Sequence, residues 1–193
     1  MAAGEQCIFV ITGPSGVGKG TLIRALRQRI PKLALSVSAT TRAPREGERD
    51  GVDYHFLSEA EFERRVQEGE FLEHVHYAGA SYGTLRSELQ QSIAKGRPIV
   101  LEIEVQGARL VRAALPEATL IFIAPPSLEE LRRRLQARGT DSSEKVAQRL
   151  TLAEQELRAQ SEFAHVVEND TLERALAELE AIVRASCSLL QGA

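Results

Sequence analysis

Residues 7–21 read Cys7-Ile8-Phe9-Val10-Ile11-Thr12-Gly13-Pro14-Ser15-Gly16-Val17-Gly18-Lys19-Gly20-Thr21. An apolar run passes into a glycine-rich loop that ends in lysine, where a helical pattern begins. Glycines let the backbone curl until several N–H groups point inward at one anion. The helix that follows, over residues 21–30, adds its unpaired N–H groups and the positive end of its dipole. Lys19 brings a mobile charge for the outer phosphates of a nucleoside triphosphate. Strand, loop and helix in this order specify a P-loop. One position departs from the pattern. A hydroxyl residue normally follows the lysine to meet Mg²⁺, and here that place is Gly20. Thr21 sits about 100° further round the helix and cannot simply replace it. A loop of this kind fits an ion held mainly by the nucleotide's oxygens and water, as Mg²⁺ tolerates.

Outward from the loop, apolar runs at 8–12, 99–103, 120–124 and 166–168, with a weaker one at 35–38, alternate with amphipathic helices. That alternation predicts an α/β fold, a parallel sheet covered by helices on both faces. Ser127 with Glu130 forms a capping box for a helix that Gly139 would stop. Residues 172–190 space Leu172, Ala175, Leu176, Leu179, Ile182 and Val183 as a core-facing helical stripe. Residues 52–84 differ: short strand 52–57, short helix 58–68 opened by Ser58 and Glu61 and closed by Gly69, then strand 71–77. This reads as a small inserted α+β subdomain.

The 193 residues suffice for one domain with a real core. Hydrophobic residues at 43% and charged residues at 26% are ordinary for a water-soluble chain. A net charge of −3 argues against a non-specific nucleic-acid binder. No apolar stretch reaches the length of a membrane span, and residues 1–6 lack the basic start of a signal peptide. Cys7 and Cys187 stand at opposite ends of the chain with no metal-type spacing, which reads as two reduced cysteines in a cytoplasmic protein.

A second anion site follows the second strand. Ser38, then Arg42 and Arg45 across Pro44, put two guanidinium forks on one loop, and such forks bind phosphate oxygens in pairs. Further on stand Gly51-Val52-Asp53-Tyr54-His55-Phe56, Phe71-Leu72-Glu73-His74, Tyr82-Gly83-Thr84, Gln106-Gly107, Ala124-Pro125-Pro126-Ser127, Arg138-Gly139-Thr140 and Asn169-Asp170. In this order and spacing the chain resembles guanylate kinase, over nearly its whole length. The arginine loop with Glu73 and Tyr82-Gly83-Thr84 carries the resemblance more specifically than the P-loop does.

The resemblance implies an ATP:GMP phosphotransferase of purine nucleotide metabolism. It implies a P-loop parallel-sheet core (1–35, 85–126, 150–193), a GMP-binding insert (36–84) and a helical lid (127–149). ATP falls to Gly13 through Thr21 and to Asn169. GMP, and by extension dGMP, falls to Ser38, Arg42, Arg45, Tyr54, Glu73, Tyr82, Thr84 and Glu102. Lys19, Arg134, Arg138 and Arg149 are the catalytic cations. Mg²⁺ accompanies ATP, held by nucleotide and water with Glu102 or Glu104 alongside; no protein ligand binds it directly. Nucleic acid, membrane and an obligate protein partner are not expected. The chemistry agrees. One carboxylate at Glu73 can accept from guanine N1–H and the 2-amino group together, whereas adenine lacks that pair. Thr84 is expected to donate to guanine O6. Glu102 and Glu104, two apart at a strand end, point to one face of the crevice. Asp is the commoner residue there in the family. The arginines at 132, 133, 134 and 138 crowd one helix and repel until phosphates arrive. His74 and His76, two apart on a strand, make a poor metal pair and are expected to neighbour the acceptor site. Two other classes stay open: a different nucleoside monophosphate kinase, since adenylate kinase shares the Gly-Lys-Gly-Thr ending, and a non-catalytic guanylate-kinase-like protein-binding module.

Overall fold

The computed structural model describes residues 7–137 and 143–190. Strand β1 (Ile8–Thr12) is buried along its full length, because it occupies the centre of a five-stranded parallel sheet. Its neighbours are β7 (Ile99–Glu102) and β8 (Thr119–Ala124), with β2 (Ala34–Leu35) and β9 (His165–Glu168) at the edges. The order is β2-β7-β1-β8-β9, and Ile11 pairs with both Glu102 and Ile121. Alternate residues feed two cores. Phe9 and Ile11 join Leu22, Leu26, Ile123, Leu176 and Val183 on one face. Ile8 and Val10 join Leu101, Val111, Phe122 and Phe163 on the other. A sheet packed on both faces reads in sequence as continuous apolar runs, which is why these strands were legible.

Helix α1 (Lys19–Arg29) leaves the glycine loop, and α7 (Leu172–Ala185) packs beside it. The expected final helix to 190 is shorter, ending at Ala185 before a 3-10 turn over Ser188–Leu190. That turn brings Cys187 back to the start of β1. Cys7 and Cys187 are joined in a disulfide with Cα atoms 5.5 Å apart, which corrects the expectation of two reduced cysteines. Their separation of 180 residues hid a spatial contact that only the packing of α7 creates.

The insert forms its own four-stranded sheet, β4-β3-β6-β5. Its members are β3 (Ala39–Thr40), β4 (His55–Phe56), β5 (Phe71–Tyr77) and β6 (Ala80–Leu85). Helix α2 (Glu59–Gln67) covers it and is capped as predicted, with Ser58 Oγ accepting from the Glu61 N–H. Phe62 and Phe71 stack at 4.5 Å as the centre of this small core. The 52–57 run shrinks to a two-residue strand. Helices α3 (Arg86–Ala94) and α4 (Val105–Ala114) return the chain to the main sheet. Helices α5 (Leu128–Ala137) and α6 (Ser143–Arg158) follow β8. Ser127 Oγ accepts from the Glu130 N–H, the predicted cap; the expected stop at Gly139 lies outside the described residues.

Candidate functional site

The glycine loop turns between β1 and α1 through residues with positive φ. Gly13 has φ +137°, and a Cβ there would lie 2.2 Å from the Ile123 carbonyl oxygen. Gly18 has φ +99° and would meet Asn169 Nδ2 at 2.6 Å. No other residue type fits either place. The loop is tied from behind. Asn169 donates to the Val17 carbonyl at 2.7 Å, and Arg134 donates to the carbonyls of Val17 (3.3 Å) and Asn169 (2.9 Å). Lys19 Nζ donates to the carbonyls of Gly13 at 2.5 Å and Pro14 at 3.1 Å.

This loop forms one wall of a cleft of about 720 Å³, a size suited to small-molecule ligands. Gly13, Ser15, Gly16, Gly18, Lys19, Gly20 and Thr21 line that wall. Ser38, Arg42, Arg45, Tyr54, Glu73 and Tyr82 line the facing wall, and Glu102, Glu104 and Arg149 complete it. Residues far apart in the chain thus converge on one space. Five of the predicted residues stand outside the lining. Pro14 offers its carbonyl to Lys19, Val17 and Asn169 shape the loop, Arg134 braces it, and Thr84 supports Glu73. Arg138 lies outside the described residues.

Glu73 is placed by an irregularity. Strand β5 shifts register against β6 between Phe71 and Glu73, so Phe71, Leu72 and Glu73 are buried in succession instead of alternating. A bulge re-aims side chains in this way. Glu73 then pairs with Thr84, whose hydroxyl donates to Glu73 Oε1 at 2.7 Å. The Thr84 hydroxyl is therefore committed to the carboxylate, where donation to guanine O6 had been expected. Glu73 is 4% exposed, and its Oε2 has no partner. A Cβ at Gly107 of α4 would come within 2.9 Å of that oxygen. Burial pushes the Glu73 carboxyl up to about 7, with the Thr84 hydroxyl opposing. A buried acceptor lacking a donor is a costly arrangement that a ligand with N–H groups relieves.

The arginine loop is braced by Glu48, which the sequence reading did not single out. Glu48 Oε1 accepts from Arg42 Nη2 at 2.9 Å, and Oε2 accepts from the Arg45 N–H at 2.7 Å. The Arg42 guanidinium also lies over the Tyr54 ring at 5.3 Å. Burial, then the nearby Glu102 charge, pushes the Tyr54 phenol up to about 12, which keeps its hydroxyl a donor. Glu102 ends β7 and Glu104 stands at the N-terminal boundary of α4 without a side-chain capping bond, so the two acids straddle a strand–helix junction rather than one strand. Burial raises both carboxyls, and Lys19 opposes in each case. Arg24, another residue missed from sequence, turns from α1 toward Glu102. A Cβ at Gly20 would lie 3.5 Å from Glu102 Oε2, so the missing hydroxyl faces a carboxylate.

On α5, the expected repulsion among arginines is compensated. Glu130 accepts from Arg133 Nε and from Arg134 Nε, both at 2.8 Å. His74 and His76 are exposed on β5 and do not line the cleft, and the His74 ring instead neighbours Phe62 and Phe71. Among the described residues no three His, Cys, Asp or Glu side chains gather to hold a metal, and no helix is long and apolar enough to cross a membrane.

The guanylate kinase family matches residues 5–186. A guanylate kinase of Synechococcus sp. (strain CC9311) is 56% identical over 171 residues, covering 89% of this chain and 90% of that one. One from Frankia casuarinae is 52% identical over 179 residues, covering 93% and 97%. The crystal structure of guanylate kinase from Anaplasma phagocytophilum superposes with a TM-score of 0.78 at 34% identity, covering 95% of this chain and 88% of that one. These likenesses run along almost the whole sequence, and the chain belongs to the guanylate kinase family.

Proposed function

We propose a division of labour within the cleft of this ATP:GMP phosphotransferase, which makes ADP and GDP. Glu73 selects guanine: its free Oε2 and its Thr84-bonded Oε1 accept from N1–H and the 2-amino group. Arg42, Arg45, Tyr54 and Tyr82 hold the acceptor phosphate, with Ser38 beside the base. The loop from Gly13 to Thr21 cradles the donor's phosphates. Lys19 leaves its carbonyl partners for the phosphate oxygens. Arg149 and Arg138 stabilise the transferring group, while Arg134 and Asn169 keep the loop in shape on the adenine side. The acceptor phosphate is itself the nucleophile, so catalysis consists of positioning and charge stabilisation. Closure of the insert (36–84) and of the lid (127–149) on the core excludes water, which would otherwise hydrolyse ATP. The lid boundary falls inside α6, so this helix would carry the motion.

Mg²⁺ fits the donor set. Glu102, beside Gly20, and Glu104, in the same cleft, offer hard oxygen ligands and would hold its waters, while the nucleotide supplies the rest. The ion when bound neutralises phosphate charge. The reading extends to dGMP as acceptor, to a single-chain enzyme needing no protein partner, and to the cytoplasm, where ATP and GMP are made. Thiol buffers there would favour the reduced form of Cys7 and Cys187.

The observation that carries the reading is Glu73, a buried carboxylate with one orphaned oxygen, set opposite a glycine loop in the same cleft. Release of ADP, followed with ATP and either GMP or AMP, tests it. Turnover with GMP alone is expected. Equal turnover with AMP would mean a different monophosphate kinase, and no turnover with either would mean a non-catalytic module.

A further inference from the structure

The Glu73 carboxylate depends on two missing side chains. Neither Gly83 of β6 nor Gly107 of α4 has a positive φ, so backbone conformation demands glycine at neither place. What each supplies is room. A Cβ at Gly83 would lie 2.7 Å from the Phe71 ring and 2.9 Å from the Glu73 carbonyl oxygen. It would strike the bulge that turns Glu73 inward. A Cβ at Gly107 would lie 2.9 Å from Glu73 Oε2 and 3.4 Å from Glu73 Cδ. At such a distance something has to move.

A carboxylate is the far end of a flexible side chain and ordinarily yields at little cost. This one is held. Thr84 donates to Oε1 at 2.7 Å. Leu72, the residue before Glu73, is buried in the main core with Val105, Ala108 and Val111 of α4, so β5 cannot draw back from the helix without opening that core. The Gly107 position is hemmed in as well, with Ile103 Cδ1 3.5 Å from where its Cβ would stand. With Oε1 fixed on Thr84, a methyl group at position 107 would swing Oε2 about Oε1. Oε2 would then leave the place in which the two oxygens take N1–H and the 2-amino group together.

We propose that Gly107 is a positioning residue for guanine selection: the gap it leaves in α4 keeps Glu73 Oε2 aimed, with Oε1, at the base. This role rests on the assignment of Glu73 above. Because α4 belongs to the core and β5 to the insert, the base is read at the seam between the two rather than by the insert alone.

The test is a double-variant cycle on wild type, Gly107→Ala, Glu73→Ala and the two together, followed by steady-state kinetics and thermal unfolding. Gly107→Ala should lower kcat/KM for GMP about 10- to 100-fold, the scale of one hydrogen bond to a charged group, with the loss in KM for GMP rather than in kcat and KM for ATP within about twofold of wild type. In Glu73→Ala the carboxylate is gone and the collision with it, so adding Gly107→Ala should change kcat/KM by less than about twofold. Stability should follow the same rule. Where alanine accepts the backbone conformation, it stabilises by restricting the unfolded chain. Gly107→Ala should therefore raise Tm by roughly 1–4 °C in the Glu73→Ala background, and by less in the wild type. If Gly107→Ala alone does not fold, the double variant decides: its folding supports the collision with Glu73, and its failure to fold overturns it. Wild-type GMP kinetics in Gly107→Ala, or an equal loss in both backgrounds, would overturn the role of Gly107 and leave that of Glu73 standing. Wild-type GMP kinetics in Glu73→Ala would overturn the reading of Glu73 and the role of Gly107 with it.

Discussion

Replacing Glu73 by glutamine should weaken the enzyme and strengthen the fold at the same time. Thr84 donates to Oε1 at 2.7 Å, while Oε2 is buried without a partner. In Glu73→Gln the Thr84 hydroxyl keeps the remaining carbonyl oxygen, so the amide nitrogen takes the place of Oε2. Two N–H donors, from the amide and from guanine, then face each other. One charge-assisted hydrogen bond is lost and a buried donor is left unpaired, about 3–4 kcal/mol together. That is a fall of ~100- to 1000-fold in kcat/KM for GMP, with the KM for ATP nearly unchanged. Stability should move the other way. Burial raises the Glu73 carboxyl from 4.5 to about 7. A carboxyl raised on folding gives stability that is whole below pH ~4.5 and lost as pH climbs through ~7. At pH 8 the buried charge therefore costs about 3 kcal/mol, at ~1.4 kcal/mol per unit, and the neutral amide removes that cost. Steady-state kinetics at pH 8 and thermal unfolding at pH 5 and 8 measure both effects. The variant should unfold at a higher temperature than wild type at pH 8, with the difference shrinking by pH 5. Kinetics with GMP within threefold of wild type would refute the selection role. A lower Tm at pH 8 would refute the assignment of an uncompensated buried charge.

Three further outcomes are expected. GMP binding near pH 6.5 should release protons, because guanine's donors require the carboxylate that burial keeps partly protonated; calorimetry in buffers of different ionisation enthalpy reads this, and Glu73→Gln should abolish the part not due to the GMP phosphate. Lys19→Ala should lower kcat by ~100-fold or more, the scale of removing one preorganised charge from a phosphoryl-transfer site, and retention of a tenth of the activity would remove Lys19 from its role. Reduction of the disulfide, or Cys187→Ser, should lower stability by up to about 5 kcal/mol, the chain-entropy value for a loop of this length, a fall of roughly 10–20 °C in Tm at this size. Neither sulfur lines the cleft, so activity below the transition should persist, and a Tm unmoved by reductant would show that the bond does not constrain the unfolded chain.

Much of the molecule could be read locally. β1 and β5 fall where the apolar runs place them, and Ser58 and Ser127 cap the helices they were expected to cap. These are short-range effects: strand periodicity, cap hydrogen bonds and glycine conformations act within a few residues. The residue types of both anion pockets were legible for the same reason, since each pocket is built on a short loop. The repulsion assumed on α5 failed because Glu130 neutralises two arginines within one helical turn, a local signal that was present and not weighed.

By itself, the sequence determined that a strand of a parallel sheet runs through a glycine loop into a helix, and that two arginines, two tyrosines and a glutamate accompany it. Only the tertiary structure decided that Glu73 turns inward on a bulge and takes the Thr84 hydroxyl, that Glu48 holds the arginine loop, and that Cys7 reaches Cys187. These contacts join residues 6, 11 and 180 positions apart. Their geometry is set by how helices and strands pack against each other, which no local pattern along a chain encodes.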